Sequence, residues 1–102
     1  MRIEVIDDGG VTTTKARAYA EYRLFATLAR HAHGIRSVRV ILGQVERNGV
    51  DGRVTCAVDV VLDPCGSIRA RANGRQTHGT IDRAAERIGD LIVRRTLPDR
   101  HA

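Results

Sequence analysis

Residues 35–62, IRSVRVILGQVERNGVDGRVTCAVDVVL, decide how this chain folds. In the first half Val38, Val40 and Leu42 alternate with Arg39 and Ile41, the two-residue period of a strand with one face buried. RNGVDG then carries two turn signals, Asn48-Gly49 and Asp51-Gly52, dipeptides that accept the positive φ of tight hairpin turns. RVTCAVDVVL resumes the strand pattern. The stretch therefore predicts a β-hairpin, and the rest of the chain must build on it.

Downstream, DPCG (63–66) reads as a second tight turn with Pro64 suited to its second position. SIRARAN then forms a further strand, with Ile68, Ala70 and Ala72 inward and Arg69 and Arg71 outward. Upstream, MRIEVI sets Met1, Ile3 and Val5 against Arg2 and Glu4, and DDGG ends that strand. Between the first two strands, Thr12 or Thr13 supplies an N-cap and Gly34 a terminator for a helix of about five turns, with Ala20, Leu24 and Leu28 on one face. A last helix begins near Ile81 and gathers Ile81, Ala84, Ala85, Ile88, Leu91 and Ile92 on one side. Gly89 weakens it by about 1 kcal/mol relative to alanine.

The expected order is β-α-β-β-β-α. This is an α+β two-layer sandwich: a four-stranded sheet with two helices packed on one face and the other face open to water. With 102 residues, 42% of them hydrophobic, residues 1–97 make a single domain and 98–102 a short tail. There is no apolar run long enough to span a bilayer, and the N-terminus lacks the basic start and apolar middle of a signal peptide, so a soluble, cytoplasmic protein is expected. Cys56 in a strand and Cys65 in a turn read as two reduced thiols.

The net charge is +5, which points to an anionic partner, nucleic acid before an anionic membrane surface. Residues 1–66 carry nine Lys/Arg against eight Asp/Glu, and residues 67–102 eight against four, so the C-terminal third is the basic end. Of the 17 basic residues only Lys15 is a lysine, and arginine's flat fork suits bidentate contact with phosphate. On the last helix Arg83, Arg87 and Arg94 fall within about 40° of one another, with Asp82, Glu86 and Asp90 on the adjoining strip. A merely solvated face would pair Arg87 and Arg94 with Asp90, each pair contributing about 0.2–0.5 kcal/mol. Yet Arg83 and Arg87 stand four apart with like charge, a spacing that helix stability alone disfavours. Arg95, Arg100 and His101 extend the positive charge. Arg23 and Arg30 share one side of the first helix, and two helices side by side join these arginines into one basic surface.

The three aromatic residues, Tyr19, Tyr22 and Phe25, all lie on the first helix. A base-stacking platform on the sheet is therefore not expected. Phosphate and shape contacts remain, and the trio is expected to pack against the core and helix edge. His31, His33, His78 and His101 have no zinc-like spacing with the cysteines, Cys65 with His78 included, and GRQTHGT lacks the lysine of a phosphate loop. Asp59, among valines, reads as a surface or edge carboxylate. No acid, base and nucleophile converge. The expectation is thus no enzyme, no catalytic residue, no metal, no cofactor, no small-molecule substrate and no membrane partner.

In this order, MRIEVI, the Tyr19, Arg23 and Leu24 of the first helix, SVRVIL, and SIRARANG followed by TIDRAAERI resemble the ribosome hibernation-promoting factor family, also called ribosome-associated inhibitor A or sigma-factor modulation proteins. The likeness spans nearly the whole chain. It implies binding to the small ribosomal subunit and its rRNA, in the groove used by mRNA and tRNA, with initiation blocked. By position it implies RNA contacts from Arg23, Arg30, Arg87, Arg94 and Arg95; Arg83 joins on geometry alone. Gln76, Thr77 and His78 stand where the family has an acidic-Met-Tyr group, Asp90 where it has a basic residue, and Arg69 and Arg71 where it has acids. A chain stopping soon after the last helix is similar to the family's short form. Two other readings stay open: a protein-interaction or homodimerisation module using the open sheet face around Arg39, Ile41, Arg69 and Arg71, and a general double-stranded RNA binder.

Overall fold

The structure, a computed structural model, describes residues 1–8, 12–47 and 50–96. Its elements are β1 (Arg2–Asp8), α1 (Thr14–Leu28), β2 (Ile35–Arg47), β3 (Val50–Leu62), β4 (Ser67–Gly74) and α2 (Thr77–Thr96). The sheet runs β1-β2-β3-β4, with β1 parallel to β2 and the other two pairings antiparallel. This is the expected α+β sandwich. The crossover through α1 makes the first pairing parallel, and the two tight connections make the others antiparallel.

The core forms where alternation on the strands meets the helical period. Val38, Val40 and Leu42 of β2, Cys56, Val58 and Val60 of β3, and Ala70 and Ala72 of β4 are buried beneath Ala20, Leu24 and Leu28 of α1 and Ile81, Ala84, Ala85, Ile88 and Ile92 of α2. The two alanines of β4 leave room for α2 to settle closely. Thr13 is the N-cap of α1: its backbone is extended and its hydroxyl accepts from the Ala16 amide at 3.0 Å. Asp7, at the end of β1, accepts from the Thr12 hydroxyl at 2.7 Å and ties the strand to the helix start.

Three boundaries differ from the sequence reading. The first helix does not run to Gly34; it tightens at Ala29 into a 3₁₀ helix, Ala29–Gly34, none of whose residues is buried, so nothing anchors another α-turn to the core. The Asp51-Gly52 signal does not turn, because β3 begins at Val50 and both residues lie in the strand; Asn48-Gly49 lies outside the described residues. The second helix starts a turn early, at Thr77, where Thr80 is fully buried and donates its hydroxyl to the Gln76 carbonyl at 2.7 Å, so His78 belongs to the helix. In the 63–66 turn the Asp63–Pro64 peptide is cis, and Gly66 takes the φ of +100° that closes the Leu62 amide on the Gly66 carbonyl. Leu97, at the end of the expected domain, and the tail 98–102 lie outside the described residues.

Candidate nucleic-acid interface

The two helices run parallel, and their seam is polar at one point. Asp82 of α2 accepts from the Tyr19 hydroxyl at 2.5 Å and from Arg23 Nε at 3.1 Å. Arg23 also donates Nη1 to the Thr27 hydroxyl at 2.5 Å, and Thr27 donates back to the Arg23 carbonyl at 2.9 Å. The Tyr19 hydroxyl is held above its ordinary pKa of 10.0, first because it donates to the Asp82 carboxylate and next because it is partly buried. The His78 ring lies 4.2 Å from that of Tyr19. Arg23, an expected RNA contact, is thus engaged in joining α1 to α2.

The ridge on α2 divides as well. Arg83 donates to the Asn73 carbonyl and Arg87 to the Arg71 carbonyl. Both acceptors lie on β4, an edge strand, so the two arginines cover unpaired carbonyls that would otherwise invite another strand. Arg17 does the same for the opposite edge, donating from α1 to the Val5 carbonyl of β1 at 2.8 Å. The guanidinium groups of Arg83 and Arg87 remain exposed and keep donors for other acceptors. The intrahelical pairs with Asp90 do not form. Ion pairs among the described residues instead join Arg23 to Asp82, Arg36 to Asp63, Arg39 to Glu4 and Arg69 to Asp59.

The side chains of Arg30, Arg94 and Arg95 are exposed and make no hydrogen bond or ion pair among the described residues, and the Arg95 guanidinium lies against Gly66. Because the helices are parallel, these three sit at the same end of the domain, where α1 gives way to the 3₁₀ helix and α2 finishes. Cations there also meet the negative end of the helix dipoles. The expected single basic surface is therefore not continuous. Asp82 and Glu86 lie between the β4-side arginines and α1, and the uncommitted charge collects at the helix C-termini and along β4.

A groove of about 350 Å³ between α2 and β4, lined by Arg69, Arg87, Asp90, Leu91 and Arg94, adds a residue that helix periodicity alone overlooked. The outward alternation of SIRARAN already held that signal. Asp59 sits on the open sheet face in a row of alternating charge, Glu4, Arg39, Asp59 and Arg69, one residue from each strand in register. Its carboxylate is 2.8 Å from Arg69 Nε. This row of the open face considered for self-association thus has its charges matched within the chain, whereas Arg71 on the same face has no ion pair among the described residues. Tyr22 and Phe25 do not pack as expected: they are 68% and 57% exposed, because only Tyr19 turns toward the α1–α2 seam. Cys56 is buried and Cys65 exposed, both free, and burial pushes the Cys56 thiol up to about 12. Cys65 precedes Gly66, which lies against Arg95 near the end of α2, whereas His78 is in the first turn of that helix.

The backbone matches solved structures over nearly its full length. The N-terminal domain of Protein Y from Thermus thermophilus superposes with a TM-score of 0.74 at 25% identity, covering 92% of this chain and 98% of that one. The likeness to this domain bears out the family resemblance. The second is a ribosomal subunit interface protein from Coxiella burnetii, also at a TM-score of 0.74, with 17% identity over 93% of this chain and 97% of that one, a likeness of fold. No family profile and no curated protein matches the chain. On the Protein Y fold, both helices cover one sheet face, and the unpaired arginines fall where those helices end. No helix among the described residues is long and apolar enough to cross a membrane.

Proposed function

We propose that the chain is a ribosome-binding factor of the hibernation type. It acts without chemistry of its own, contacting rRNA of the small subunit through arginine and occluding the groove that mRNA and tRNA occupy. The observation that carries this reading is the group of unpaired arginines, Arg30, Arg94 and Arg95, on a fold shared with Protein Y. Guanidinium groups with no hydrogen-bond or ion-pair partner among the described residues are free for bidentate phosphate contact. Arg87, with one donor on β4 and others exposed, extends the contact along the α2–β4 groove, and Arg83 lies next to it. Arg23 acts indirectly, by holding α1 to α2. Cytoplasmic residence and residues 1–97 as the working unit belong to the same reading.

Co-sedimentation with separated small subunits tests it. Arg94→Glu with Arg95→Glu is expected to lower binding and to flatten its dependence on salt by roughly two units of log–log slope, one per lost phosphate contact. The thermal melting of the variant should stay close to the parent's, since neither side chain has a hydrogen-bond or ion-pair partner among the described residues. Undiminished binding by the double variant at moderate salt overturns the arginine mechanism. Equal affinity of the parent for a naked RNA duplex supports the general double-stranded RNA reading instead.

A further inference from the structure

The edge strand β4 holds more arginine than the fold uses. Arg69 and Arg71 are exposed on its outward side, and Arg75 is exposed just past its end. From the α2 side Arg83 and Arg87 are bound to the Asn73 and Arg71 carbonyls, and Arg94 joins Arg69 and Arg87 in the α2–β4 groove. Arg69 lines both that groove and the hollow of the open sheet face, so it stands on the rim between them. Guanidinium groups therefore flank one strand on both sides over about 20 Å, the reach from Arg69 to Arg75 at 3.4 Å per residue.

Little inside the chain answers this charge. Asp59 pairs with Arg69, and Asp90 lies in the groove with no ion pair among the described residues. In register beside Arg71 stand Ala57, Ile41 and Ile6, an apolar row without a carboxylate. The side chains of Arg71 and Arg75 make no hydrogen bond or ion pair among the described residues. The opposite edge is built the other way, since β1 sets Arg2 against Glu4, Asp7 and Asp8. The carbonyls explain Arg83 and Arg87; they do not explain Arg71 and Arg75. Neighbouring cations repel, and a row of one sign focuses its field on a partner of the other.

We infer that the β4 edge is a track for an RNA backbone, with one phosphodiester strand lying along it from Arg94 past Arg69 and Arg71 to Arg75. The inference rests on the ribosome-binding reading and adds to it contacts that neither helix supplies. A protein strand suits this edge poorly, because the Asn73 and Arg71 carbonyls it would pair with already accept from Arg83 and Arg87. A phosphate asks nothing of those carbonyls. It meets the unpaired forks of Arg71 and Arg75 and the remaining donors of Arg87, which its bond to β4 already holds in place. Asp90 is the acid on this path, so it weakens the hold at the groove.

Binding of the full chain across a salt series, to small ribosomal subunits by co-sedimentation and to a single-stranded oligouridylate by fluorescence anisotropy, tests the track. Arg71→Glu with Arg75→Glu is expected to weaken binding to both probes by roughly tenfold or more and to lower the log–log salt slope by roughly two units. Arg2→Glu with Lys15→Glu, on the β1 side, changes the net charge equally and is expected to stay near the parent. Asp90→Asn is expected to bind several-fold more tightly. All these side chains are exposed, so circular dichroism and melting should stay close to the parent's. If the Arg71/Arg75 variant binds as well as the Arg2/Lys15 variant, the track is wrong, while the ribosome reading stands provided Arg94→Glu with Arg95→Glu still releases subunits. A parent that binds the oligouridylate through Arg71 and Arg75 but does not co-sediment with subunits supports the track and overturns the ribosome reading; a parent that binds neither probe overturns both.

Discussion

Replacing Gly89 by alanine should destabilise this protein even though alanine is the better helix former. A Cβ at Gly89 would lie 2.9 Å from Cγ2 of Thr27 on α1, well inside the roughly 3.5–4.0 Å at which carbon atoms rest. Thr27 is not free to swing aside. Its hydroxyl donates to the Arg23 carbonyl at 2.9 Å and accepts from Arg23 Nη1 at 2.5 Å, and Arg23 in turn holds Asp82. Propensity favours alanine by about 1 kcal/mol, while overpacking a well-filled contact costs about 1–3 kcal/mol. The net loss is about 1 kcal/mol, or several degrees of melting temperature for a domain of this size.

Thr27→Ser isolates the cause, since it deletes the offending methyl and keeps the hydroxyl with both its hydrogen bonds. In that background Gly89→Ala should stabilise by up to about 1 kcal/mol, so the double-mutant cycle should show a coupling of roughly 2 kcal/mol. Urea denaturation followed by circular dichroism measures all four proteins. If Gly89→Ala shifts stability equally in both backgrounds, the glycine is not there for the helix contact and the reasoning fails.

Two further outcomes follow from the seam and the thiols. Tyr19→Phe removes the hydroxyl that donates to Asp82 and should cost about 1 kcal/mol at neutral pH. Because the folded tyrosine titrates above its unfolded value of 10.0, its stabilising contribution is complete below that pH and is lost as pH rises through the folded pKa; the parent's melting temperature should therefore fall more steeply above about pH 10 than that of the phenylalanine variant, and parallel curves would contradict the assignment. Iodoacetamide at mildly alkaline pH should modify Cys65 alone, with Cys56 reacting only after denaturation, because burial lifts its thiol to about 12; mass spectrometry that finds native Cys56 labelled as fast as Cys65 would count against the buried strand position.

The sheet and both helices were legible because each rests on a strong period. The Val38–Leu42 and Ile68–Ala72 alternations and the Ile81–Ile92 stripe all face the core as their spacing requires. What misled was local signal overruled by tertiary demand. Asp51-Gly52 offers a turn, but β3 extends through it to pair with β2 as far as Val50 opposite Arg47. Gly89 looks like a weakness in α2 until α1 is laid against it. The aromatic trio looks like core because aromatics usually are, yet the third-turn positions of α1 leave Tyr22 and Phe25 pointing at solvent. A residue's place on a helix was readable; the partner across the interface was not.

The same lesson bears on the arginine pair that first suggested a polyanion. Arg83 and Arg87 are about 6 Å apart along the helix axis at 1.5 Å per residue, and alternate carbonyls on β4 are about 6.8 Å apart at 3.4 Å per residue. α2 runs antiparallel to β4, so Arg83 meets Asn73 and Arg87 meets Arg71, one outward carbonyl each. The next carbonyl of that series belongs to Arg69, and the α2 residues in step with it are Asp90 and Leu91, neither a cationic donor. Like charge at a four-residue spacing is therefore explained by the sheet edge without any external anion. Arg30, Arg94 and Arg95, whose guanidinium groups make no hydrogen bond or ion pair among the described residues, are better placed to meet RNA than the ridge that is most conspicuous in the sequence.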